Sequence, residues 1–346
     1  MQLRSLSQLN FRNLETPQLS FKPGITALVG CNASGKSNLL EAAYLGCTGE
    51  LPGGRIVDLL RLGESEGFVG IRLEHEEGLS SIEIGLSAGK KTLRLDGQSV
   101  RAADIARVSA AVLITPQDTI MIQGPPSGRR AYLDSVLSKL SFRYNLMLRE
   151  YHRVVEQRNA LLKTVFDTHT LTAWTERFLE LGTEITSMRQ RAVQRISELS
   201  NQTYRHLAGD GKSLNVTLQT QSHGLRSAWE ASRDEEKARG TTVVGPHRDD
   251  LRLELDAKSV QLYGSRGEAR TSALALRVAE YQLLLEKHDE APVLLLDDFS
   301  AELDSTRRTY LLELASNTPQ AVVSGTEATP QHDTLLHIAG GEIYAE

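Results

Sequence analysis

Cysteine is nearly absent from these 346 residues: Cys31 and Cys47 are the only two. Two cysteines build no disulfide framework, which argues against the small cross-linked secreted folds and for a reducing compartment. Aromatic residues make up only 5% of the chain. No apolar run approaches the roughly 18 residues that a membrane span needs. The opening MQLRSLSQLNFRN lacks the apolar core of an export signal, so a cytoplasmic protein is expected.

What is present is ordinary in amount and uneven in distribution. Hydrophobic residues at 40% and charged residues at 24% suit a globular chain long enough for one large domain or two smaller ones. The formal charge is −5, yet residues 121–240 carry 18 Lys and Arg against 13 Asp and Glu, while the remainder carries 21 against 31. An acidic body with a basic segment suits a protein that presents one face to a polyanion, although a solvated helical face rich in Arg gives the same count.

Periodicity organises the chain. ITALVG reads as a short buried strand, and GKSNLLEAAYLG as a helix stopping at Gly46. FVGIRLEH, SSIEIGLSA and KTLRLDGQ alternate apolar and polar residues between glycine-containing breaks, the pattern of an antiparallel meander, and SAAVLITP is another buried strand. From about Arg129 to Leu207 apolar residues recur at three and four, which predicts a helical insert too short for a long coiled-coil arm. SLNVTLQT and LRLELD return to strand texture. EARTSALALRVAEYQLLLEKH is a long amphipathic helix, APVLLLDD a core strand, DSTRRTYLLELAS a helix and QAVVSG a last core strand. The expected architecture is an α/β nucleotide-binding core, residues 1–125 and 240–346, interrupted by a helical lobe over 126–239.

GCNASGKSN, Gly30 to Asn38, carries the chemistry. Gly30, four residues, then Gly35, Lys36 and Ser37 fit the phosphate-binding loop pattern, with a strand before and a helix after. Glycines let backbone N–H groups turn inward around phosphates, and the helix start adds partial positive charge. Lys36 can reach the β and γ phosphates and the Ser37 hydroxyl can hold Mg²⁺; Asn32, Ser34 and Asn38 complete the candidate ATP contacts. A magnesium site also wants a carboxylate at the end of a core strand, and VLLLDD supplies Asp297 for the hydrated ion and Asp298 for the attacking water.

The order of motifs carries a resemblance. DDFSAELD (297–304) resembles the second phosphate-site motif and following loop of ABC-type ATPases, and YGSRGEARTSALALRVAE (263–280) resembles their signature and its helix. NFRN, NLLEA after the phosphate loop, PPSGRRAYLD and GPHRDDL narrow this to the RecF branch of the SMC-like ABC ATPases, over nearly the whole chain. The resemblance implies an ABC-type ATPase head: a mixed β-sheet with a phosphate-loop core, an N-terminal antiparallel meander and a short helical lobe. It implies that Ser265, Arg266 and Gly267 touch the γ phosphate held by another chain, so that ATP joins two head-to-tail copies and hydrolysis releases them. Arg12 and Asn13 fall near the nucleotide, Gln117 would sense Mg²⁺ and the γ phosphate, and Asp304 would cross the dimer interface.

Departures from the family pattern matter too. Ser324, Gly325 and Thr326 stand where a switch histidine is expected, and Asp298 replaces glutamate, which together predict slow turnover. Ala33 replaces a loop glycine and should be tolerated at negative φ. Glu268 replaces the signature glutamine, unfavourable beside phosphate unless it faces Arg266 or the ribose. His247 is expected to be structural or close to DNA, and Cys31 to be filler.

The family acts in recombinational DNA repair, working with RecO and RecR to bring RecA to gapped DNA in replication restart and SOS induction. That implies duplex or gapped DNA, RecR, RecO and RecA as partners, and a nucleoid-associated location. The candidate DNA-phosphate contacts are Arg129, Arg130, Arg143, Arg149, Arg153 and Arg158, some of which must face the core because their spacing is helical. With few aromatics among them, a base-stacking single-strand channel is less supported. Other classes share the loop: the ATP-binding subunit of an ABC transporter, a P-loop small-molecule kinase, and a non-hydrolysing scaffold.

Overall fold

A computed structural model describes residues 1–87, 89–164, 168–220, 224–298 and 304–345, with the side chain of Thr168 left aside. The chain divides into two compact units: Met1–Asp118 with Arg277–Glu346, and Thr119–Leu276.

The first unit holds two six-stranded sheets. One is antiparallel, in the order Gln18–Ser20, Gln2–Leu9, Glu66–His75, Gly78–Ser87, Lys90–Leu95, Gln98–Ser99, and contains the expected meander. The other runs Glu342–Ala345, Thr334–Ala339, Gly24–Val29, Gln320–Gly325, Val293–Leu296, Ala111–Ile114. All its pairings are parallel except the Glu342–Ala345 edge. Ala111–Ile114, Val293–Leu296 and Gln320–Gly325 are buried at every residue, as strands covered on both faces must be.

Helix Lys36–Thr48 touches strands of both sheets. It runs past Gly46 and ends at Gly49, whose φ of 66° supplies the left-handed cap. Gly46 is not a stop but a contact point: a Cβ there would lie 2.4 Å from Ile71 Cγ2, so the missing side chain sets how closely helix and meander approach.

The second unit is mostly helical: Pro126–Leu140, Phe142–Lys163, Thr168–Ala208 and Leu225–Arg239. Pro126 sits at the first helical position, where its missing N–H costs nothing. Ser141 caps the second helix by accepting the Tyr144 N–H at 3.2 Å. The helix Leu225–Arg239 lies within the expected helical lobe, beyond the apolar periodicity that ends near Leu207. Strands Leu214–Gln219, Asp250–Leu255 and Lys258–Ser259 form a small antiparallel sheet. The units therefore differ from the expected boundary at 239/240. Residues 240–276 belong with the helices because Asp250–Leu255 pairs with Leu214–Gln219, away from the phosphate-loop sheet. Helix Arg266–His288 begins in the second unit and continues in the first. Among the described residues no helix is long and apolar enough to cross a membrane.

Candidate functional site

In the first unit the loop after strand Gly24–Val29 leads into the start of helix Lys36–Thr48 through Gly35, at φ 116°. No L side chain sits comfortably there, and a Cβ would also come within 3.0 Å of Asn13 Oδ1. Lys36 is buried and its Nζ donates to the carbonyls of Gly30 at 2.7 Å and Cys31 at 2.9 Å. The loop thus holds its own cation in place by neutral acceptors. Ser34 is buried too, and its Oγ has no hydrogen-bond partner. An orphaned hydroxyl in a loop of this kind fits a ligand that brings acceptors.

The carboxylates arrive on the parallel sheet. Asp297 follows Val293–Leu296 and its Oδ1 accepts from Ser37 Oγ at 3.0 Å and from Ser324 Oγ at 2.7 Å. Ser324 in turn accepts the Asp298 N–H at 2.9 Å, and Asp298 has a left-handed φ of 48°. The buried serine standing where a switch histidine was expected therefore aligns both aspartates. Adjacent ligands of an octahedral Mg²⁺ lie about 3 Å apart, so the Ser37 and Asp297 oxygens fit that ion. Gln117, on the short 3₁₀ turn Pro116–Asp118, lines one cleft of about 230 Å³ with Asn32, Ala33, Lys36, Ser37, Asp297 and Asp298.

Arg12 and Asn13 also reach this loop. Asn38 Nδ2 donates to Asn13 Oδ1 at 2.7 Å, and Arg12 pairs with Glu41 at 2.6 Å. Sequence alone does not mark Glu41. Burial raises its pKa, Arg12 opposes that, and the negative charge of Asp297 adds to the rise. Its only sequence signal is position: it lies four residues after Ser37, on the neighbouring turn of the helix.

Ala33 has φ 63°, so the expectation of a negative φ fails. The alanine carries the left-handed conformation that the loop requires and that glycine would carry with less strain. Asp304 caps helix Ser305–Ser316, accepting the Arg307 N–H at 2.9 Å, while the preceding residues 299–303 of DDFSAELD lie outside the described residues. Cys31 is exposed and Cys47 is buried, its thiol pushed up to about 12 by burial.

In the second unit Ser265, Arg266 and Gly267 are exposed at the start of helix Arg266–His288. Ser265 and Glu268 form a reciprocal capping box: Ser265 N–H donates to Glu268 Oε2 at 2.7 Å and Glu268 N–H to Ser265 Oγ at 3.2 Å. Glu268 faces Lys212 at 2.5 Å. Lys212 and the Ser265 backbone hold its carboxyl down at about 2.

The arginines divide by burial. Arg129, 4% exposed, grips Asp250 with two bonds of 2.7 and 2.9 Å and also donates to the carbonyls of Ile122 and Gly124. Arg158, 1% exposed, pairs with Glu236 at 2.9 Å and Thr242 at 2.6 Å. Both leave the set of DNA contacts, since each is buried and its charge is already paired, with the half-buried Asp250 and the buried Glu236 respectively. Arg130 is half-buried and donates to the Asp249 carbonyl at 2.9 Å. Arg143 is exposed and paired with Glu184, whereas Arg149 and Arg153 are exposed on the same helix.

Arg189 was not singled out in sequence. It is 1% exposed and joins Asp134 at 2.7 Å, Asp249 at 2.9 Å and the Pro246 carbonyl at 2.6 Å. PPSGRRAYLD and GPHRDDL thus meet through Arg129–Asp250, Arg130–Asp249 and Asp134–Arg189–Asp249. His247 belongs to the same hub. Its Nε2 lies 3.1 Å from the Thr242 carbonyl, which can only accept, so Nε2 carries the proton and Nδ1 accepts from the Tyr151 hydroxyl at 2.7 Å. Burial pushes its pKa down to about 4, so it is neutral and structural.

Archaeal Smc head domains share the fold, for example that of Pyrococcus furiosus at TM-score 0.57 and 20% identity, covering 99% of this chain and 95% of that one. The class is an SMC/RecF-like α/β ATPase head. The RecF/RecN/SMC N terminal domain model matches residues 2–333. The DNA replication and repair protein RecF of Deinococcus radiodurans is 48% identical over 343 residues, 99% of this chain and 95% of that protein. RecF of Symbiobacterium thermophilum is 36% identical, covering 94% and 92%. A solved recombination mediator protein RecF with ATP, in the RecFOR pathway, has TM-score 0.92 at 27% identity, covering 99% and 97%. The chain belongs to the RecF/RecN/SMC N-terminal domain family and, within it, to the RecF proteins. A full-length match of this kind leaves the transporter-subunit and small-molecule-kinase readings without support.

Proposed function

We propose that this chain is an ATP-dependent DNA-binding protein of recombinational repair, cytoplasmic and nucleoid-associated, with a weak ATPase used as a switch. The observation that carries the reading is the cluster of Lys36, Ser37, Asp297, Asp298 and Gln117 around one cleft. Bound Mg²⁺ would supply charge neutralisation at the β and γ phosphates. Lys36 would turn its Nζ from the Gly30 and Cys31 carbonyls to the phosphates, and the loop N–H groups of residues 32–37 with the Ser34 hydroxyl would orient them. Ser37 and Asp297 would hold the metal, and Asp298 would accept a proton from the attacking water. Gln117 would report the state of the γ phosphate, with Arg12, Asn13 and Asn38 bracing the loop. Ser265, Arg266 and Gly267 of a second copy, with Asp304, would close the site. ATP then joins two copies, doubling the basic surface offered to duplex or gapped DNA, and RecO, RecR and RecA act on that complex.

The test is a DNA-binding titration without nucleotide, with ATP and with ADP, on single-stranded, duplex and gapped substrates. Expected are tighter binding with ATP and a steep salt dependence whose slope falls by about one for each of Arg149→Ala and Arg153→Ala. Binding indifferent to both nucleotide and salt overturns the reading.

A further inference from the structure

The signature site poses an electrostatic problem. Ser265, Arg266 and Gly267 are exposed at a helix start suited to an anion, yet one turn on stands Glu268. Its carboxylate is fixed beside that helix start by the Ser265 N–H at 2.7 Å. A second anion arriving there meets a negative charge that cannot swing away without uncapping the helix.

Lys212 answers it. It follows Gly209 and Gly211, both at positive φ, in the tight turn before strand Leu214–Gln219. Its backbone N–H is tied to Asp210 Oδ1 at 3.0 Å, which fixes the turn, and the other oxygen of that carboxylate lies 3.6 Å from its Nζ, farther than Glu268. Its Nζ reaches Glu268 Oε1 at 2.5 Å, so each carboxylate oxygen takes one donor, one from the lysine and one from the signature serine. Lys212 and Glu268 border a recess of about 240 Å³ together with Lys258, Tyr263 and Gly264.

We propose that Lys212 is a positioning residue of the signature site: by pairing with Glu268 it cancels the charge of the helix-capping carboxylate and lets a triphosphate carried by a second copy of this chain approach Ser265. The proposal rests on the reading of the signature given under Proposed function. An ordinary glutamate is already ionised at neutral pH, and in this arrangement Lys212 and the Ser265 backbone hold the Glu268 carboxyl lower still, at about 2. The cancelling charge has to come from a neighbouring cation.

The test compares the full-length wild type, Lys212→Ala, Lys212→Met and Lys212→Ala with Glu268→Gln. Sedimentation measures dimerisation with Mg²⁺ and a non-hydrolysable ATP analogue. Lys212→Met keeps the aliphatic stem, so a packing loss reads differently from a charge loss. Both single variants should weaken the dimer by about tenfold or more, and the double variant should recover it, because an uncharged glutamine caps the helix without repelling phosphate. A dimer unchanged by either single variant overturns the proposal. So does a loss that Glu268→Gln fails to rescue, since that marks a lysine needed only to hold the turn in place. A wild type with the same mass in both conditions overturns the two-copy reading itself, and the proposal with it.

Discussion

Lys36 in the phosphate-loop unit is held by two carbonyl oxygens and Asp297 by two hydroxyls, whereas in the helical unit Arg129, Arg158 and Arg189 each close on a carboxylate. Neutral partners keep a charge in place while leaving it available to a ligand. Opposite charges in a dry interior cancel and fasten elements together, and removing one leaves the other stranded. Charged side chains thus mark a site around Lys36 and Asp297 and a scaffold around Arg129, Arg158 and Arg189.

The largest break in that comparison should come from Arg189→Ala. It strands Asp134 and Asp249 and should destabilise the protein by about 3–5 kcal/mol, read as a large drop in melting temperature. Next is acid. His247 has a folded pKa of about 4 against an ordinary 6.5, so its contribution is complete above about 6.5 and lost as pH falls from there through 4. Melts between pH 7.5 and 5 should register a loss of about 2 kcal/mol from this residue, which His247→Gln makes insensitive to pH. Lys36→Ala should weaken nucleotide binding by roughly 2–3 kcal/mol in a titration while the melting temperature moves little, the reverse of Arg189→Ala. Smallest is Ala33→Gly. Relief of the left-handed alanine, about 1–2 kcal/mol, is offset by the greater freedom of glycine in the unfolded chain, leaving a gain of about 0.5 kcal/mol in a denaturation curve.

The phosphate loop was legible because its chemistry limits residue types at fixed spacing: Gly35 must take φ 116°, and lysine and serine must follow at once. The parallel core was legible because strands buried on both faces read as unbroken apolar runs such as VLLL. Arg129 and Arg158 were not, since helical spacing says nothing about partners such as Asp250 and Glu236 that lie far along the chain. Glu268 was opaque for a similar reason. Its local role is written in S-R-G-E, but Lys212, which makes it tolerable, lies 56 residues earlier. Gly46 misled because glycine inside a helix and glycine ending one look alike until the opposing Ile71 is seen.

In the proposed dimer, triphosphate bound at Lys36 is completed by Ser265 of a second chain. Sedimentation of the full chain, with Asp298→Asn to block turnover, tests it most directly. Expected are a monomer or weak dimer without nucleotide and a stable dimer with ATP and Mg²⁺, reversed by Ser265→Arg. An unchanged mass in both conditions, or a dimer indifferent to Ser265→Arg, would contradict it.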